Sequence, residues 1–337
     1  ASSTVSPTIG TYSYTGSGTG PTTSTTTGSG GSVTYSYVGT GSTTYGPSAS
    51  LPSAVGSYTV TATLAADTNY NGATSSATAF TIGKTSQSSL SVTSTSTTYN
   101  ATNKTYSLTT SGGSGTGSVS YSVTGTGCSV SGSTLTYTQA GTCSVTATKA
   151  SDTNYNSVSS SATNVVVGSA SQSALTVTST STTYNATNKT YSLTTSGGSG
   201  TGSVSYSVTG TGCSVSGSTL TYTQAGTCSV TATKASDTNY NSVSSSATDV
   251  VVAKATPVIT WANPSPIRLT ATLSTSVQLN ATASVDGSFA YTPGNGQGFN
   301  SAGTQTIAGV FTPSDTTNYE SVTTNKSITV MSAQAPS

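Results

Sequence analysis

The sequence predicts an all-β chain of four small antiparallel β-sandwiches in series, and three observations carry that expectation. Larger or apolar residues alternate with hydroxyl residues over short runs, whole segments recur at a fixed interval, and no stretch shows capped helical periodicity. The alternation is plain in Cys128-Ser129-Val130-Ser131, in Leu135-Thr136-Tyr137-Thr138 and in Cys143-Ser144-Val145-Thr146-Ala147-Thr148. Successive side chains of a strand point to opposite faces, so each run puts one face in a core and the other in water. Ser131-Gly132-Ser133 and Ala140-Gly141-Thr142 read as tight turns between these runs, and Gly112-Gly113 through Gly117 as a longer Gly/Ser loop. Short strands at such even spacing suit a sandwich.

The recurrence sets the domain count. Residues 86–167 reappear at 171–252, an offset of 85, and differ only at Ser89/Ala174, Ser91/Thr176 and Asn164/Asp249. The same offset carries Asp152-Thr153-Asn154-Tyr155 back onto Asp67-Thr68-Asn69-Tyr70, so residues 1–84 form a diverged relative. Asp315-Thr316-Thr317-Asn318-Tyr319 closes a fourth unit that starts near Lys254. Domains of 1–84, 85–169, 170–253 and 254–337 follow. The joints, such as Gly83-Lys84 and Gly168-Ser169-Ala170, hold so few residues that a rod is expected; a floppy string needs longer linkers.

Composition narrows what such a rod can do. The 337 residues include 68 Ser and 76 Thr, while charged residues make up 4%, far below the roughly 25% of ordinary domains. Charge-driven disorder does not fit, because 19 Tyr and abundant Val and Thr favour pleated strands. Histidine is absent, Glu320 is the only glutamate and the net charge is +1. Those numbers remove most acids, bases and metal ligands, and they leave no basic footprint for nucleic acid. No enzyme activity and no cofactor is expected. No apolar run of about 18 residues occurs, so no membrane span is expected either. Beginning at Ala1 without a methionine and ending in Ala335-Pro336-Ser337, the chain reads as a processed or excised piece of a secreted protein.

Particular stretches carry a family resemblance. Lys254-Ala255-Thr256-Pro257-Val258-Ile259-Thr260-Trp261, with Leu279-Asn280-Ala281-Thr282-Ala283-Ser284 and Phe311-Thr312-Pro313-Ser314-Asp315, resembles the bacterial Ig-like repeat domains of large surface proteins. Val33-Thr34-Tyr35-Ser36-Tyr37 and residues 56–63 make the first domain similar to the MBG-type variant. Gly127-Cys128-Ser129-Val130 and Gly141-Thr142-Cys143-Ser144-Val145 make the second and third similar to the Cys-containing form. The resemblance implies an Ig-like sandwich fold and a bacterial surface or extracellular setting. It carries no catalytic residues, since these modules serve as spacers, adhesin stalks and filament subunits alike.

The four cysteines offer the sharpest chemistry. Cys128 and Cys143 share parity with Val130 and Val145, so both point into the sandwich, and the first and fourth domains have no cysteine at all. They are read as disulfides Cys128–Cys143 and Cys213–Cys228, each worth about 3 kcal/mol in the chain-entropy model. Reduced, buried thiols are the competing reading. A zinc site is disfavoured by the spacing and the missing histidine.

Asp67, Asp152, Asp237 and Asp315 precede Tyr70, Tyr155, Tyr240 and Tyr319 in equivalent turns. Calcium wants six to eight oxygens, which one carboxylate per turn does not supply, so the expectation is an Asx turn with the tyrosine plugging the domain end. Tyr12, Tyr14, Tyr35, Tyr37 and Trp261 could form a sugar-stacking face, but the shared parity of Tyr35 and Tyr37 points to the core. A Ser–Lys dyad around Lys104 or Lys149 is the only nucleophile arrangement available, and hydroxyls this dense make such pairings unavoidable. The six sequons, at Asn100, Asn103, Asn185, Asn188, Asn280 and Asn325, match what chance supplies at this hydroxyl density.

The leading functional expectation is a structural one: a stiff extracellular rod, either a stalk or the self-associating subunit of a filament or sheath. The alternative is an adhesin-type module for a glycan or host protein. Domain four would be its binding end, through Trp261, Arg268 and the loop at residues 293–298. For self-association, residues 1–31 are the expected strand donor, because they carry no charge and little strand signal; an ordinary first strand folded onto its own domain is the competing reading.

Overall fold

A computed structural model of the chain describes residues 1–332, and among them it is all-β. Two compact units divide the chain, one ending at Ala170 and the other beginning at Ser171. Each unit contains two sandwiches.

In the first unit, the residue 1–84 sandwich has one sheet ordered Tyr12–Ser13, Thr78–Gly83, Gly56–Leu64, Val33–Gly39. Thr4–Pro7 and Ser24–Thr27 pair opposite it. In the next sandwich the main sheet runs Val119–Thr124, Gly141–Lys149, Thr163–Gly168, Ser96–Thr98. Its covering layer is the pair Leu90–Val92 and Thr110–Gly112 with the three strands Thr105–Ser107, Thr134–Tyr137 and Cys128–Ser131. The alternation dictates this layering directly: in Gly141–Lys149, Cys143, Val145 and Ala147 are fully buried, and Thr142, Ser144, Thr146 and Thr148 face outward. Leu90, Val92, Leu108, Leu135 and Val165 close the same core.

The second unit repeats this sandwich 85 residues later, with Leu175, Leu220, Val230 and Val250 in the core. It adds the fourth, whose sheet runs Ile267–Arg268, Val322–Met331, Gly303–Pro313, Gly287–Thr292. Ser131 pairs with Thr134 across a two-residue turn in which Gly132 takes φ +58°, the conformation such hairpins require. The turn expected at Ala140-Gly141-Thr142 lies slightly earlier, because Gly141 already begins a strand.

Two features depart from the sequence reading. Each sandwich contains one parallel pair: Tyr12–Ser13 beside Thr78–Gly83, Ser96–Thr98 beside Thr163–Gly168, Ser181–Thr183 beside Thr248–Ala253, and Ile267–Arg268 beside Val322–Met331. Strands of two or three residues show no readable periodicity, so this pairing was hidden. Residues 1–31 are also not a loose donor segment. Thr4–Pro7 buries Val5 against Ala62 and Leu64, which completes the chain's own first sandwich.

Candidate functional site: the clasps between neighbouring sandwiches

Each Asp-x-x-(x)-Tyr turn is built on its own carboxylate. Asp152 Oδ1 accepts from the backbone N–H of Asn154 and of Tyr155, both at 2.9 Å, the geometry of an Asx turn. Asp67 does the same for Asn69 and Tyr70, Asp237 for Asn239 and Tyr240, and Asp315 for Asn318. The second oxygen reaches across to the Gly/Ser loop: Asp152 Oδ2 accepts from Thr116 N and Thr116 Oγ1. Asp237 Oδ2 holds Thr201 likewise, and Asp67 Oδ2 takes Gly30 N at 2.8 Å. The loop needs glycine to come this close, since a Cβ on Gly117 would overlap the Ala150 carbonyl.

Hydrogen bonds to the ionised form lower each carboxyl pKa. Asp152 falls from 3.8 to about 2, chiefly through the Thr116 N–H. Asp67 and Asp237 are lowered first by Gly30 and Thr201, and Asp315 first by the Asn318 side chain.

The turn grips the linker from the preceding sandwich. Thr85 N donates to Asn154 O and Asn156 N donates to Thr85 O, so Thr85 lies as a single parallel bridge beside Tyr155. Gln87, 8% exposed, donates through Nε2 to Ala150 O and Asn156 O while its Oε1 accepts from Gly115 N. Gln172 repeats these bonds in the third sandwich. Tyr155 then reaches back to Tyr14 of the first sandwich, edge to face, with centroids 5.5 Å apart.

The joint between the third and fourth sandwiches has the same plan with different residues. Ala255 bridges Tyr319, bonded to Asn318 O and Glu320 N, and Lys254 Nζ donates to Thr316 O at 2.6 Å. Tyr319 stands edge-on to Tyr184 at 5.7 Å, within a buried cluster of Tyr184, Tyr222 and Val252. Asn318 Oδ1 accepts from Ala225 N at 2.7 Å across the joint.

This geometry specifies the expected role of the tyrosines. The domain end that Tyr155 and Tyr319 plug is that of the sandwich before them, while Tyr70 stands exposed. The part that Tyr14, Tyr184, Gln87 and Gln172 play in the joints is not legible in the sequence, because their partners are remote in the chain. One signal was present: Tyr99 and Tyr184 recur at the repeat offset, as do Gln87 and Gln172.

The cysteines pair as Cys128–Cys143 and Cys213–Cys228, each tying the covering layer to the main sheet. The five aromatic residues weighed as a sugar face do not form one. Tyr37 and Trp261 are buried, Trp261 Nε1 donating to Gln278 O and Tyr37 Oη to Pro21 O. Tyr12 packs on Phe80, Tyr35 stacks beside Tyr37, and Tyr14 belongs to the joint. Lys149 Nζ bonds Gly113 O and Lys104 lies 5.9 Å over the Tyr99 ring, so neither contact is with a serine. Among the described residues no cluster of three or more His, Cys, Asp or Glu could hold a metal. Arg268 is exposed on its strand, and an open cleft of about 410 Å³ lined by Ser284, Val285, Asp286, Ser314, Asp315 and Tyr319 lies elsewhere in the fourth sandwich.

No family model matches the chain, and no curated protein matches it in sequence. Solved structures align to it weakly. The Drosophila N-cadherin EC1-3 structure is 8% identical over 71% of this chain and 98% of that one, with a TM-score of 0.33. The protocadherin GammaB4 extracellular domain is 12% identical over 97% of this chain and 66% of that one, with a TM-score of 0.28. Domains 1-6 of the surface layer protein SbsC are 13% identical over 89% of this chain and 50% of that one, with a TM-score of 0.25. No helix among the described residues is long and apolar enough to cross a membrane.

Proposed function

We propose that this chain is an extracellular structural protein, a tandem Ig-like rod that serves as a surface stalk or as the self-associating subunit of a filament or sheath. One observation carries the reading: the short linkers at Thr85 and Ala255 are hydrogen-bonded into the following sandwich, and a tyrosine from that sandwich caps the one before. A chain with independent modules has no use for such joints. Two disulfides support an oxidising compartment, and the sequence resemblance to bacterial Ig-like repeats supports a bacterial surface. The absence of histidine from the sequence and its single glutamate support a role without catalysis and without a cofactor. With its weak charge the rod has little to bind nucleic acid.

A second reading is an adhesive module with the fourth sandwich as its binding end. An open cleft lined by Asp286, and by Asp315 and Tyr319 of the joint, favours it, although Trp261 is buried and takes no part. Electron microscopy of the purified chain separates the two. Regular fibres support the filament subunit, and dispersed thin rods that bind an array of glycans support the adhesin. Collapsed or randomly coiled particles would overturn the structural reading altogether.

A further inference from the structure

The parallel pair in each sandwich joins the part of the chain near its start to the strand at its end. Ser96–Thr98 lies beside Val166, Val167 and Gly168, with Val166 N bonded to Thr95 O and Tyr99 N to Gly168 O. In the third sandwich Ser181–Thr183 lies beside Val251, Val252 and Ala253, with the same two flanking bonds from Val251 to Thr180 and from Tyr184 to Ala253. The first and fourth sandwiches have shorter patches, Tyr12 and Ser13 beside Ile82 and Gly83, and Ile267 and Arg268 beside Val330 and Met331.

Direction decides how such bonds respond to force. When a sandwich is pulled through its two chain ends, parallel strands slide lengthwise past each other and all bridging bonds are loaded together. An antiparallel pair pulled from one end opens one bond at a time. The short strand before each patch, such as Leu90–Val92 beside Thr110–Gly112, is antiparallel to its partner and is expected to yield before the patch. The parallel patch then takes the load in shear.

We infer that the chain bears tension along its length, and that its two cysteine-containing sandwiches yield last. Their patches hold three registered pairs against two in the outer sandwiches, and the flanking tyrosines Tyr99 and Tyr184 are each 8% exposed. Their disulfides lie inside the stretch that unravels, each closing off 15 residues. An opened sandwich of this kind therefore lengthens less than one without the bond. Fifteen residues at about 3.5 Å each correspond to about 5 nm of extension withheld. The inference rests on the structural reading above and adds a mechanical role to it.

The test is single-molecule force spectroscopy on the full chain, tethered at its ends, before and after reduction with a thiol reagent. Four unfolding steps are expected, and the two at highest force should each lengthen by about 5 nm on reduction. The inference is overturned if the lengthened steps come at the lowest forces, or if none lengthens. Val166→Pro supplies a second arm: it removes the N–H bonded to Thr95 O, while the Val166 side chain is exposed and contributes little to the core. The second sandwich should then rupture below the third; unchanged rupture overturns the assignment of the patch. If that variant does not fold, the order of steps in the unaltered chain still decides. Extended rods by microscopy combined with low rupture forces would remove this inference and leave the structural reading standing.

Discussion

Tyr155 of the second sandwich stands edge-on to Tyr14 of the first, the ring planes inclined by 77°. The contact spans 141 residues of sequence, and it forms because Asp152 shapes the turn that presents Tyr155 and Gln87 fixes the linker beneath it. Tyr184 and Tyr319 make the equivalent contact at the other described joint.

Tyr155→Ala and Tyr319→Ala are expected to weaken the coupling between neighbours and leave each sandwich folded. Edge-to-face pairs contribute about 1 kcal/mol beyond the area they bury. Limited proteolysis should show faster cleavage near Lys84 or Lys254, with a thermal midpoint only slightly lowered. Tyr70, exposed at 37%, serves as the control, since Tyr70→Ala should change neither readout.

Acid should loosen the clasps. A carboxyl whose folded pKa is depressed contributes stability that is fully present above its unfolded value and is lost as pH falls through the folded one. For Asp152 that window runs from 3.8 down to about 2. Thermal midpoints followed from pH 5 to pH 2 should fall most steeply there. Asp152→Asn keeps an acceptor for the Asn154 and Tyr155 N–H groups and removes the titration, so its profile should be flatter.

Removing the disulfides should lower stability without changing the fold. Replacing all four cysteines by serine is expected to cost each of the two sandwiches about 3 kcal/mol, on the loop length they close. Chemical denaturation measures the loss. Thiol labelling of the unaltered, unfolded and unreduced chain should find no free cysteine, and four labelled thiols would overturn the pairing.

Much of this was legible in the sequence, and the reason differs from part to part. The near-exact repeat and the alternation through Cys143, Val145 and Ala147 announced the sandwich, because burial on one face imposes period two. The Asx turns were readable from Asp152 and its equivalents, because that bond is local. The partner of Tyr155 was not, because it lies in another sandwich. Trp261, the only tryptophan, is 6% exposed, and its N–H is satisfied by a backbone carbonyl, a burial that a lone aromatic next to a short strand does not announce. Val5 gave too short a signal to reveal that Thr4–Pro7 docks on its own sandwich.

The joints at Thr85 and Ala255 tie together the two sandwiches within each unit. Small-angle X-ray scattering on the intact chain, beside the Tyr155→Ala, Tyr319→Ala double variant, measures how far these joints restrict the sandwiches. The distribution of dimensions should be broader in the variant than in the intact chain. A distribution that is the same for both proteins would contradict the joints.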